Sequence, residues 1–288
     1  MSGRTAVAVG VVAVLGIVGC SSSDDGDDPA TETTASTTTA TTEPATTTTA
    51  VPSFAVVGET EVDGNFRQGL ARSGDGWIFT TNATIYRTDG AFAETDAHHD
   101  AIPPELAALG YDHLGDGDVV DGVIWIPVER PAKDEARQMT ARYDEETLEV
   151  IDWVEVAQHH NAFVTVDDDG VVYSSDEFGD DTIVRYRVVD GEVEQLEPLP
   201  LSRFVDRIQG GDVAGGALWL STDDERNGVY RVDLDTGEVT EVGSAGRVDG
   251  EGEGIDATDG EPATLHVLVA DEAIVPLWVV EIAPDGAG

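Results

Sequence analysis

The stretches FRQGLARSGDGWIFTT (66–81) and RIQGGDVAGGALWLST (207–222) follow one plan: Gln-Gly, a short turn, then an apolar strand carrying a Trp. Three more segments share it: DHLGDGDVVDGVIWIPV (112–128), HHNAFVTVDDDGVVYSSD (159–176) and GEGEGIDATDGEPATLHVLV (250–269). With Gln68 as reference, the matching positions are Gly115, Ala162, Gln209 and Glu253, spaced 47, 47, 47 and 44 residues apart. A chain that repeats at this period must set like units side by side, and four-stranded propeller blades have this length.

A second column fixes the register. The third strand of each unit carries Arg87, Arg142, Arg185 or Arg231, with Glu281 in the last. Gly191 and Gly237 each follow their Arg by six residues, where a hairpin leads to a fourth strand. No segment has helical periodicity beyond a turn at Pro103–Leu109. The expected fold is therefore all-β, a five-bladed β-propeller over residues 54–288. The last unit ends directly after its third strand, while Phe54–Val62 is a strand with no blade of its own. Adding it as the outer strand of the last blade closes the ring and removes exposed edges.

Before the repeats the chain reads differently. One basic residue, an apolar run from Ala6 to Val18 and Gly19-Cys20 read as a signal peptide over residues 1–19. Ile17-Val18-Gly19-Cys20 resembles the bacterial lipobox. Cys20, the only cysteine, is then the lipidation site, with palmitate among its acyl chains. Residues 20–53 continue as a Thr-, Ala- and acid-rich disordered tether spanning roughly 30 Å. The expected location is outside the cytoplasm, held to the cell membrane by lipid on Cys20.

The formal net charge is −43, and Lys133 is the only lysine. Such a field repels nucleic acid and anionic surfaces and favours cations or basic partners. The acids are spread along the whole domain, as on a solvated surface. A monomer is expected, with an unidentified small molecule or protein as partner.

HLGDGDVVDGVIWIPVE, RIQGGDVAGGALWLSTDD and EGEGI resemble segments of bacterial secreted β-propellers of the broad YncE, phytase-like and gluconolactonase-like kind. The resemblance implies the fold. It implies no single activity, because those groups include hydrolases and binders.

In a propeller the first strand of each blade lines the axis. Residues two before the reference column, namely Phe66, His113, His160, Arg207 and Glu251, are therefore expected in a ring at one mouth. Beside them come Gln68, Asp116, Asn161, Gln209 and Glu253. Polar side chains converging on one axis form a candidate ligand site. His113, His160 and Asp116 could hold a transition metal, and the carboxylates Ca2+. Glu251 is expected to pair with Arg207. His98 and His99 read as solvated loop residues, and Trp77, Trp125 and Trp219 as core. VDDDG, VVDG and DLDTG lack the EF-hand spacing and read as hairpin turns.

No Gly-x-Ser-x-Gly elbow, P-loop or dinucleotide fingerprint is present. Three functions fit. The first is an envelope-anchored binder of a ligand or partner at the channel mouth. The second is a metal-assisted hydrolase of an ester, lactone or phosphate there, resting on channel acids, a metal-bound water, or His113 or His160 as base. The third is a structural display module.

Overall fold

The computed structural model describes residues 51–286 except 132–134, 177–178, 259, 261–262 and 271–276. The signal peptide, Cys20 and nearly all of the tether lie outside the described residues.

The chain forms five antiparallel sheets. The strand β1 (Phe54–Val62) is held back for the last of them. Blade 1 is β2 (Gly69–Ser73), β3 (Gly76–Thr81), β4 (Thr84–Thr88) and β5 (Glu94–His98). The one helix among the described residues, α1 (Pro104–Ala107), leads to blade 2. That blade has an inner strand in two pieces, β6 (His113–Leu114) and β7 (Asp118–Val120), then β8 (Val123–Glu129), β9 (Gln138–Asp144) and β10 (Val150–Val156). Blade 3 comprises β11 (Thr165–Val166), β12 (Val172–Ser174) and the long β13 (Asp180–Val189). Its outer edge is shared by β14 (Glu192–Gln195) and β15 (Leu199–Val205), both paired with β13. Blade 4 is β16 (Ile208–Ala214), β17 (Ala217–Thr222), β18 (Gly228–Asp233) and β19 (Val239–Ser244). Blade 5 is β20 (Glu251–Ala257), β21 (Leu265–Ala270) and β22 (Leu277–Pro284).

The strand β1 pairs with β22 from Phe54↔Pro284 to Val62↔Leu277, completing blade 5 with the expected N-terminal strand. The inner strands β2, β7, β11, β16 and β20 neighbour one another in a closed cycle. The chain is a five-bladed β-propeller.

Five apolar clusters fill the five gaps between blades. Alternation along a strand divides its side chains between two gaps. In β3, Ile78 packs toward blade 2, while Trp77 and Phe79 pack toward blade 5. Trp77 and Trp219 are buried and Trp125 half-buried among these clusters, as expected of core residues. The acidic turns are turns: the Asp167 carboxylate accepts from the amides of Asp169 and Val171 within its own hairpin. His98 departs from expectation. It ends β5 with its ring Nδ1 2.6 Å from the Leu148 carbonyl of blade 2, rather than lying in a solvated loop.

The repeat column aligns across the sheets. Arg87, Arg142, Arg185, Arg231 and Glu281 stand opposite Ile78, Trp125, Tyr173, Trp219 and His266 on the second strands. Arg142 makes a two-pronged contact with Asp152 on the outer strand, at 2.7 and 2.5 Å.

Candidate functional site

The inner strands carry extra residues where they enter the axis. In blade 4, Ile208 faces Thr222 and Gly210 faces Ser221, so Gln209 is a bulge. In blade 5, Gly252 and Ile255 pair with Val269 and Val267, leaving Glu253 and Gly254 opposite one residue. In blade 1 the amides of Arg67 and Gln68 both donate to the Thr80 carbonyl. A bulge bends the strand and re-aims its side chains. Gln68, Gln209 and Glu253, all of the reference column, thereby face one mouth.

They line a cavity of about 560 Å³ together with His113, His160, Arg207 and Glu251. Seven sequence-derived residues, with at least one from every blade, thus share one space. The outer wall is Asn82, Glu129 and Asp223, which end or directly follow the second strands of blades 1, 2 and 4. These were missed in the sequence, although they too recur by repeat: Asn82, Glu129, Asp176 and Asp223 are each 47 residues apart. Asp112, Arg130 and Pro131 complete the rim.

His160 Nδ1 lies 2.8 Å from Glu129 Oε1, and both side chains are largely buried. The same carboxylate oxygen accepts the Asn161 amide. His113 stands opposite Glu129 in the β6–β8 register, so both histidines sit beside one carboxylate. Arg207 is ion-paired with Asp223 of its own blade, and Glu251, its expected partner, lines the same cavity. Glu253 is only 7% exposed. Burial first, then the nearby Glu251 and Asp223, push its carboxyl well above the usual range; Arg67 opposes this.

Three of the ring and flanking residues go elsewhere. Phe66 is stacked on Phe79 at 4.4 Å in the core of blade 1. Asn161 is fully buried between blades: its Nδ2 donates to the Met139 carbonyl at 3.0 Å and its Oδ1 accepts from Ser174 Oγ at 2.6 Å. Asp116 sits one position further along the axis than the reference column and is 1% exposed. Its Oδ1 accepts the Leu70 amide of blade 1 at 3.1 Å. Its Oδ2 accepts the amides of Gly211 in blade 4 and Ile255 in blade 5, at 3.1 and 3.3 Å. Its main chain bonds to Ala162 and Val164 of blade 3. One residue therefore ties its own blade to the other four. Burial pushes its carboxyl well above the usual carboxylate range, against the pull of the three amides. Space for it comes from glycine: a Cβ on Gly254 would lie 2.3 Å from Asp116 Oδ1, and one on Gly69 2.6 Å from its Cα.

Beyond Asp116 the axis opens into a second cavity of about 620 Å³, lined by Asp118, Asp212, Asp256 and Arg72 among others. These carboxylates serve the ring itself. The Asp118 side chain accepts the Val166 amide of blade 3 at 3.0 Å. Thr165 Oγ1 accepts that of Val213 in blade 4 at 3.0 Å. Asp212 accepts that of Ala257 in blade 5 at 2.7 Å, and Asp256 that of Arg72 in blade 1 at 2.6 Å. Each side chain caps the next blade's amide, except at Ala71, which has no acceptor to offer. Burial, then Asp118 and Asp256, raise the Asp212 carboxyl well above the usual range. Burial pushes His266 down to about 4, so its 3.9 Å approach to Asp256 is not an ion pair at neutral pH.

Asp116 does not reach the cavity that His113 and His160 line, so the three are not brought together as metal ligands. Among the described residues no three His, Cys, Asp or Glu side chains are grouped as metal ligands would be. Nor, among those residues, is any helix long and apolar enough to cross a membrane.

No family model and no curated protein matches this chain. Solved structures do. Regucalcin from Agrobacterium tumefaciens strain C58, described as a calcium-binding protein, is 14% identical, with a TM-score of 0.46, over 75% of this chain and 76% of that one. A nidogen/laminin complex is 12% identical, with a TM-score of 0.41, over 60% of each chain.

Proposed function

We propose that this propeller binds a small polar organic ligand in the cavity lined by Gln68, His113, His160, Arg207, Gln209, Glu251 and Glu253. The observation that carries this reading is convergence: residues from five separate repeats, several re-aimed by bulges, meet in one space. Its volume is in the range of small-molecule sites. The opposite mouth supports the reading by contrast, because its inner-strand carboxylates Asp118, Asp212 and Asp256 are occupied in holding neighbouring blades together.

The test uses a panel of polar metabolites screened by thermal shift. Changing His113 and His160 together to Ala is expected to remove the hits while the empty protein still melts cooperatively, since the core lies between blades. Hits that survive the double substitution defeat the assignment.

A hydrolytic reading draws on one contact, His160 Nδ1 against Glu129 at 2.8 Å. A carboxylate there orients an imidazole as general base and stabilises it once protonated. Turnover of an ester, lactone or phosphate that falls on Glu129→Gln, with binding kept, would favour it over simple binding.

The anchoring reading belongs to the same proposal, with lipid on Cys20 holding the protein to the membrane. Cys20→Ser is expected to move it from the membrane fraction to the soluble one. A variant that fractionates like the parent overturns the anchor and leaves the cavity reading untouched.

A further inference from the structure

Resting on the binding reading above, we propose that the ligand carries a primary ammonium or guanidinium group, and that this cation seats on Glu253. Glu253 is 7% exposed and lines the cavity from a bulge. Its main-chain carbonyl accepts from Ser221 Oγ, but among the described residues its carboxyl makes no hydrogen bond. A buried carboxyl without a donor is costly unless something else supplies one.

The surroundings decide the sign of that donor. Five carboxylates line the cavity against two guanidiniums, Arg130 and Arg207. Arg207 is already matched by Asp223, and Arg130 by Glu135 at 2.9 Å. The groups acting on Glu253 are Glu251, Asp223 and Asp116, which disfavour its charge, and Arg67, which favours it. An anion would meet this field unassisted, whereas a cation relieves it. The space is that of a molecule of several heavy atoms rather than a bare ion, and no three ligating side chains are grouped among the described residues.

The same burial, with Glu251 and Asp223 nearby, pushes the Glu253 carboxyl well above the usual carboxylate range, so the empty site disfavours its charge. Seating an ammonium group favours the charged form, which accepts from the N–H donors; any proton the carboxyl still holds leaves to solvent as its O–H bond breaks. Ligand binding is thereby coupled to proton release.

The experiment is calorimetry on the full chain with 1,4-diaminobutane, in two buffers of different ionisation enthalpy, beside the size-matched neutral butane-1,4-diol. The diamine is expected to bind about ten- to hundred-fold more tightly than the diol, with a heat that changes with the buffer. Glu253→Gln should remove most of that preference and all of the buffer dependence, while melting no lower than the parent. Equal binding of diamine and diol, both lost in the His113→Ala, His160→Ala double variant, overturns the cation and keeps the cavity. Diamine binding unchanged in Glu253→Gln overturns the seat. Binding unchanged in both variants overturns the cavity as well, and no binding of the diamine overturns the cation.

Discussion

Replacing Asp116 with Ala should lower the unfolding free energy by about 3–9 kcal/mol, because three buried amides lose their acceptor at about 1–3 kcal/mol each. Those amides belong to Leu70, Gly211 and Ile255, on three different blades. Gly69, Gly210 and Gly254 ring the carboxyl and have no side chains to replace it. Asp116→Asn keeps one acceptor oxygen and should lose less. Equilibrium urea unfolding followed by Trp fluorescence measures both. A loss below about 1 kcal/mol in the Ala variant would mean that the axial bonds add nothing to the blade interfaces.

Deleting residues 54–62 should cost on the order of 5 kcal/mol and lower the melting temperature by roughly 10–20 °C. The strand carries buried Phe54 and Val62, and Phe54 packs on Trp219 of blade 4 with ring centroids 5.4 Å apart. Without it β22 becomes an open edge, a template for pairing with another chain. Two measurements check this: the thermal midpoint, and its recovery when the 54–62 peptide is added in trans. A truncated chain that melts with the parent and ignores the peptide would show that blade 5 stands on three strands.

Much of the fold was legible because the physics that sets it is local and repeated. Hairpin turns need Asp and Gly, blade interfaces need alternating apolar residues, and both recur at the interval that located the five inner strands. The orphan strand Phe54–Val62 could be placed because a sheet edge must be covered. The site was legible in part, and its gaps have one physical source. Near the axis, a shift of one residue changes a side chain's destination, and bulges reset the count. Asp116 follows Gly115 of the reference column and points into the axis; Asn161 precedes Ala162 and points between blades; Phe66 lies at a ring position yet stacks in the core. Spacing alone cannot tell these directions apart. By contrast, Asp118, Thr165, Asp212 and Asp256 all stand three residues past the reference, and Glu129 and Asp223 share a column of their own. Those could have been read from the same register. The Arg207–Asp223 pair needed coordinates, because two carboxylates, those of Asp223 and Glu251, were near enough in the repeat to compete.

Closure of blade 5 joins Phe54 to Pro284, near the two ends of the described chain. On a ribosome these residues are made about ten to fifty seconds apart, at 5–20 residues per second. Throughout that interval β1 is an unclaimed strand beside four blades as they emerge. Its sequence is suited to the wait: Glu59 and Glu61 charge its far half, and a bulge at Val57 breaks its register where β22 will later pair. The residue that opens the fold in order of synthesis is thus among the last to be folded, and the ring acquires its cooperativity only once β22 has been made.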